Sequence, residues 1–288
     1  MGWRPRAGGQ EPSARPLRTA DLEQALALCA VDPVASVLAA VRLTDTAARM
    51  QFGAGGWGVF EGREMCALAW VGANVVPVSP TGRGLAALAR SIAVHQRSFS
   101  SLVGDAPAVH TVWSHLAQAW PPPRQVRADQ PSLTLTTDPA VAGDDAVRPA
   151  LAAELDLVLP ASVAMFTEEY GYSPLGSSGA YAARVRQLIA GGRTFVRVGR
   201  GPDGPRVEFK AEIGASALGV AQIQGVWTHP DLRGRGIGAA GTAAVARHAF
   251  ALGARTVSLY VNDYNTGARA MYRRVGFDQV GSYATVVL

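Results

Sequence analysis

The hexapeptide Arg233-Gly234-Arg235-Gly236-Ile237-Gly238 constrains this chain more than any other stretch, because a strand-like run precedes it and a helical pattern follows. Val220-Ala221-Gln222-Ile223-Gln224-Gly225-Val226-Trp227-Thr228 is largely apolar and rich in strand formers. Beyond the turn, Ile237, Gly241, Val245 and Leu252 fall near one helical stripe, which Gly253 is placed to terminate. A glycine-rich turn that opens a helix leaves backbone N–H groups unpaired and directed outward, and the helix dipole adds partial positive charge there. Such a mouth suits a pyrophosphate. Glycine lets the backbone approach a ligand closely, and the two arginines bring mobile positive charge. Arg-Gly repeats also occur in nucleic-acid-binding tails, but those are polar and unperiodic, whereas apolar structure flanks this one on both sides.

A second constellation follows. Thr256-Val257-Ser258-Leu259-Tyr260-Val261 alternates in polarity as a strand does, and Asn262-Asp263-Tyr264-Asn265 then makes a polar turn able to cap a helix. In that helix Ala268, Met271, Tyr272 and Val275 share one face, and Gly276 stands at the C-cap. Tyr272 thus lies on the inward stripe, away from Arg269, Arg273 and Arg274. Periodicity alone reads it as a core tyrosine.

These residues carry a family resemblance. The region 147–288 resembles the GNAT superfamily of acyl-CoA-dependent N-acyltransferases. The family's pyrophosphate loop, Arg/Gln-x-x-Gly-x-Gly/Ala, is matched by Arg233, Gly236 and Gly238. Its later segment is matched by Asn265, Ala268, Tyr272, Gly276 and Phe277. Two patterns in the correct order, one helix and one strand apart, are far more specific than either alone. The whole chain also resembles a narrower group of two-part GNAT proteins whose N-terminal half is described as a domain of unknown function. Gly72-Ala73-Asn74-Val75-Val76-Pro77-Val78 and Phe209-Lys210-Ala211-Glu212-Ile213-Gly214 are among the segments that suggest it.

The resemblance implies an α/β fold with a mixed sheet: a C-terminal GNAT fold and an N-terminal, degenerate GNAT-like domain. It implies acetyl-CoA as co-substrate, no metal, and transfer of the acetyl group to a primary amine. Pantetheine would run along Val226, Trp227 and Thr228, with a backbone N–H near Val226 polarising the acetyl carbonyl. The pyrophosphate would rest on the turn formed by Arg233, Gly234, Arg235, Gly236, Ile237 and Gly238. Asn262 and Asn265 would contact the cofactor, and Tyr272 would protonate or hydrogen-bond the departing thiolate. Glu212 and Glu168 are the candidates put forward for the base, with Glu169 and His229 behind them. The alternative is a non-catalytic acyl-CoA-binding regulatory module. Glu168, Glu169, Tyr170 and Tyr172 are compatible with a cationic amine, and surface composition explains them equally well.

At 288 residues the chain has room for one large or two modest domains. A hydrophobic content of 48% with 17% charged residues indicates a folded protein and excludes a disordered one. The net charge of +5 is scattered arginine, with Lys210 the sole lysine, a pattern that does not point to nucleic acid as a partner. No apolar run reaches membrane-spanning length. Cys29 and Cys66 sit in apolar surroundings and read as buried thiols, which together with the absence of a signal segment suits a cytoplasmic protein.

The polar stretch 138–146 reads as a linker between an N-terminal domain, 17–137, and a catalytic domain, 147–288, with 1–16 as a flexible lead-in. Leu17-Arg18 and Val147-Arg148 each lead into a helical run, a parallel that suggests duplication. In the first half a hairpin, a strand, a helix, a strand and a helix follow, the order of a GNAT-like unit. Its turn Thr81-Gly82-Arg83-Gly84-Leu85-Ala86 lacks the leading Arg or Gln. In the second half, helical runs at 152–159 and 161–170 are separated by Pro160, and 180–190 is a further helix.

Overall fold

In the computed structural model, residues 11–48, 55–95, 99–176, 179–202 and 204–288 are described. Residues 1–10 of the expected lead-in lie outside them. The chain divides into two units. The first comprises residues 1–131 and 281–288, and the second residues 132–280.

The first unit begins with β1 (Ser13–Pro16), α1 (Leu22–Ala30) and α2 (Pro33–Ala48). It continues through β2 (Gly56–Glu61), β3 (Glu64–Val71), β4 (Asn74–Val78), α3 (Leu85–His95), β5 (Ser101–Asp105) and α4 (Ala106–Leu116). β6 (Gln125–Leu135) starts in this unit and ends in the second. Two features depart from expectation. Ser13–Pro16, assigned above to a flexible lead-in, is a strand paired antiparallel with β2. Helix α2 was not anticipated, although its start is signalled: Asp32 caps it by accepting from the Ala35 N–H at 3.0 Å, and Pro33 occupies its first turn.

The second unit holds β7 (Arg148–Pro149), α5 (Leu155–Tyr170), α6 (Ala180–Ala190), β8 (Thr194–Gly201), β9 (Gly204–Ala217) and β10 (Val220–Thr228). Then come α7 (Ile237–Ala251), β11 (Thr256–Tyr260), α8 (Thr266–Val275) and β12 (Asp278–Val287), whose end returns to the first unit. Helix α5 runs unbroken through Pro160, correcting the expected interruption. Leu252 lies beyond the end of α7 and is exposed, so it is not on the inward stripe.

Both units are mixed α/β. In the second, β9 pairs antiparallel with β8 and β10, β10 pairs parallel with β11, and β11 pairs antiparallel with residues 132–135 of β6. In the first, β4 pairs parallel with β5, and β5 pairs antiparallel with residues 283–287 of β12. Each half of the chain therefore sends its last strand to the unit built mainly by the other half. In the second unit one apolar cluster, with Phe195, Phe209, Val245, Leu259 and Tyr272, packs under α7 and α8. A separate one, with Val158, Val185, Ile189 and Trp227, packs under α5 and α6.

The segment read as a linker, 138–146, is fastened to the second unit. Arg247 on α7 donates to both Asp138 oxygens at 2.9 and 2.8 Å and to the carbonyls of Pro139 and Val141. The Ala140 N–H donates to the Val275 carbonyl at 2.8 Å. An internal repeat is also visible in atomic detail. Arg15 forks onto Asp21, which caps the Arg18 N–H, and six residues likewise separate Arg148 from Glu154, which caps the Leu151 N–H. In both copies the arginine also donates to the carbonyl of the following proline at 3.1 Å.

Candidate active site

Strands β10 and β11 stay in register for only three residue pairs, Val220 to Gln222 against Thr256 to Ser258. Beyond them β10 runs on to Thr228 and β11 to Tyr260 with no further pair, so the two strands part. At the same level β10 loses its regular pairing with β9. Gln224 opposes Glu212 and Trp227 opposes Lys210, so Gly225 and Val226 together face the single residue Ala211. This is a β-bulge, and Gly225 takes it in the left-handed region at φ +60°.

The turn after β10 presents the helix mouth. Gly234 and Gly236 have φ of +76° and +81°, and α7 starts at Ile237 with no side-chain cap. The Ala240 N–H is bonded to the Gly236 carbonyl at 3.0 Å, leaving the amides of Ile237, Gly238 and Ala239 without a helical acceptor. Gly238 is in close contact for a different reason: a Cβ there would lie 3.2 Å from Thr228 Oγ1.

The two arginines of the turn have different surroundings. Arg233 Nε donates to the Thr228 carbonyl at 3.0 Å and its Nη2 to Glu168 Oε2 at 2.6 Å. Glu168 also accepts from Trp227 Nε1 at 3.1 Å, so this trio ties α5 to the end of β10. Arg235 is exposed and forms no ion pair among the described residues. A third arginine, Arg274 on α8, was not anticipated at this site. Its Nη2 lies 3.8 Å from the point a Cβ on Gly236 would occupy.

Asn265 caps α8, its Oδ1 accepting from the Ala268 N–H at 3.1 Å, and its own N–H is bonded to the Asn262 carbonyl at 3.0 Å. Tyr272 is buried with its ring 5.9 Å from that of Phe277. Burial pushes its phenol well above the ordinary tyrosine range, and the negative charge of Glu169 adds to the effect.

On the α5 and α6 side of the sheet lies a buried ion pair. Lys210, with no exposed surface, donates to Glu212 Oε1 at 2.9 Å and to the Gly225 carbonyl at 3.3 Å, and lies 3.6 Å from Met165 Sδ. Gln224 Nε2 donates to the other oxygen of Glu212 at 3.2 Å. Neither Glu212 nor Glu168 therefore stands free, as a carboxylate awaiting a proton would. Each is held by a cation and by a neutral donor. Lys210 escaped notice as a site residue, although a lone lysine two positions from Glu212 on an alternating strand was its signal.

The end of α5 is aromatic. Phe166 stacks on Tyr170 at 4.4 Å and meets Tyr172 and Tyr181 edge-on at 5.5 Å. Tyr181 donates to the Ser162 carbonyl at 2.8 Å, and burial, then the charges of Glu212 and Glu169, raise its phenol. A largely apolar groove of about 650 Å³ opens along α5 at Pro160, Val163, Ala164 and Leu175 and reaches Glu168. His229 Nδ1 is buried 3.6 Å from Asp231.

Residues 164–277, which contain the parted strands, the bulge and the helix mouth, match the Acetyltransferase (GNAT) family. This region is a GNAT domain. Residues 54–158 match a domain of unknown function, DUF4081. An uncharacterized N-acetyltransferase of Methanocaldococcus jannaschii is 42% identical over 60 residues, which is 21% of this chain and about a quarter (26%) of that protein. Solved structures share the fold of the GNAT domain and of the chain around it. A Drosophila protein has a TM-score of 0.66 at 14% identity, covering 96% of this chain and 98% of its own. A GCN5-related N-acetyltransferase of Sphaerobacter thermophilus has 0.52 at 20%, covering 95% and 94%. A tandem GNAT protein from the clavulanic acid biosynthesis pathway has 0.53 at 13%, covering 96% and 98%.

Proposed function

We propose that the second unit transfers the acetyl group of acetyl-CoA to a primary amine. The observation that carries this is the coincidence, at one end of β10, of parted parallel strands, a backbone bulge and an uncapped helix mouth. Pantetheine bonds to the backbone of β10 between the strands, and the pyrophosphate sits on the free amides of Ile237, Gly238 and Ala239. The Val226 N–H polarises the acetyl carbonyl, where negative charge develops as the amine attacks. Tyr272 donates its proton to the thiolate as the tetrahedral intermediate collapses, and the amine nitrogen sheds its protons to solvent, one of them restoring the phenol. The acceptor approaches from the α5 and α6 side. There Glu169 and the tyrosines Tyr170, Tyr172 and Tyr181 favour a cationic amine over an anionic one, through charge and ring interactions. In the first unit, Arg83 is paired with Glu61, and a Cβ on Gly84 would meet Cys66 Sγ at 2.8 Å. We take its turn to be unused for the nucleotide.

Release of free thiol from acetyl-CoA by the purified protein, measured against a panel of amines, tests the proposal. Amine-dependent release supports it. Binding of acetyl-CoA without release under any amine would leave only a regulatory module. Arg235 and Arg233 are expected to separate in the same protein. Arg235→Ala removes one charge-assisted hydrogen bond to phosphate, so it weakens acetyl-CoA binding about tenfold at low salt, and less as salt rises. Arg233→Ala acts chiefly on thermal stability, because its guanidinium is already engaged. Titration calorimetry at two salt concentrations, with a melting curve for each variant, checks both.

A further inference from the structure

We infer that Lys210 is a positioning residue whose ammonium, held by Glu212, fixes the peptide between Gly225 and Val226 so that the Val226 N–H faces the thioester. The inference rests on the acetyl-transfer reading above and adds to it the part of the protein that aims the amide.

A bulge frees a peptide from the regular ladder, and a freed peptide is able to rotate about its flanking bonds. Glycine at φ +60° makes rotation easier still. An amide meant to meet a developing oxyanion needs one orientation fixed in advance. Here the fixing group is visible. Lys210 Nζ reaches the Gly225 carbonyl at 3.3 Å from the face of the sheet that α5 covers. All peptides among the described residues are trans, so the N–H of the same plane points opposite to that carbonyl and away from the ammonium that holds it.

The rest of the cluster holds the ammonium in place. Glu212 accepts from it at 2.9 Å and is itself tied by Gln224, the residue on the other side of the bulge. Met165 Sδ on α5 covers it at 3.6 Å. A Cβ on Gly225 would lie 3.2 Å from Met165 Sδ, 3.3 Å from Lys210 Nζ and 3.4 Å from Glu212 Oε2, so the peptide has little room to move while the cluster is intact. A fully buried lysine is a costly way to stabilise a sheet, since desolvation of the pair offsets most of its attraction. Its placement on a carbonyl of the bulge gives the cost a purpose.

The test separates orientation from folding by breaking the same ion pair from either side. Lys210→Met removes the donor to the Gly225 carbonyl. Glu212→Gln also breaks the pair but leaves the lysine nitrogen donating to Gly225. Affinities for acetyl-CoA and for CoA are measured by calorimetry on the full chain, because only acetyl-CoA carries the thioester carbonyl that Val226 is to meet. Wild type is expected to prefer acetyl-CoA by about fivefold, the worth of one net hydrogen bond. In Lys210→Met the preference falls to about one with CoA affinity unchanged, and kcat falls with it. In Glu212→Gln most of the preference survives. Should Lys210→Met not fold, Gly225→Ala displaces the same peptide with the charges in place and is expected to lose the preference likewise.

Retention of the preference in Lys210→Met, or its equal loss in Glu212→Gln, overturns the inference. A wild type that binds both nucleotides equally yet releases thiol with amines overturns it while leaving acetyl transfer intact. A wild type that binds neither nucleotide removes both.

Discussion

Tyr272→Phe is expected to lower kcat by about two orders of magnitude, the usual worth of a positioned general acid, and to leave acetyl-CoA affinity within about twofold. The separation follows from where the ring sits. It is part of the apolar cluster under α7 and α8 and packs edge-on to Phe277 at 5.9 Å. Phenylalanine fills the same space, so the variant loses an oxygen and little else. That oxygen is protonated throughout the neutral range, because burial and the charge of Glu169 both disfavour the phenolate. In the proposed reaction the group therefore enters as a donor and not as a base. The sign of the pH dependence follows. Since the phenol titrates above the ordinary tyrosine range, Tyr272 produces no fall in kcat on the alkaline side below that range, and an alkaline limb appearing near neutrality would belong to another group. Steady-state kinetics from pH 6 to 10, with calorimetry of both proteins, checks the prediction. Equal loss of turnover and affinity would reduce Tyr272 to a packing residue.

Much of the second unit was legible because its signals are local. The turn glycines, the apolar run before them and the helix after them all fall within a few residues, and α8 with Asn265 at its start and Gly276 at its end reads from capping alone. The cofactor side of the proposed site is built from just these local pieces. What was not legible depends on partners distant in sequence. Glu168 looked like a possible base until Arg233, 65 residues on, and Trp227 were seen to hold it. Glu212 was judged by its place on an alternating strand, which gave no hint that Lys210 and Gln224 share its oxygens. Pro160 misled for another reason. A proline in a helix forfeits one backbone bond, and burial of Val158 and Ala161 on either side of it offsets that loss. The segment 138–146 has the composition of a linker, yet its fastening by Arg247 is written on α7, about a hundred positions later.

The destination of the last strand was the least legible feature of all, and the largest loss of stability in the chain is expected there. Removal of Gly281–Leu288 should unfold the first unit, though every deleted residue follows the GNAT domain in sequence. The deletion takes away the antiparallel partner of the whole of β5, pairing by pairing from Tyr283 with Asp105 to Val287 with Ser101. It exposes the first unit's core where Ala284 and Val286 now sit fully buried. It also removes Tyr283, 1% exposed, whose hydroxyl lies 2.8 and 3.1 Å from the Val34 and Ala35 carbonyls in the first turn of α2. A single substitution samples the same region. Tyr283→Ala should cost about 3–5 kcal/mol, the range for emptying a buried aromatic site. Tyr283→Phe should cost about 1 kcal/mol, the net worth of its hydrogen bond. Tryptophan fluorescence in urea reports the outcome directly, because Trp57, Trp70, Trp113 and Trp120 all belong to the first unit. A shortened chain that unfolds at the wild-type urea midpoint would mean that β5 needs no partner from the C-terminus, and the strand exchange would then be ornament rather than structure.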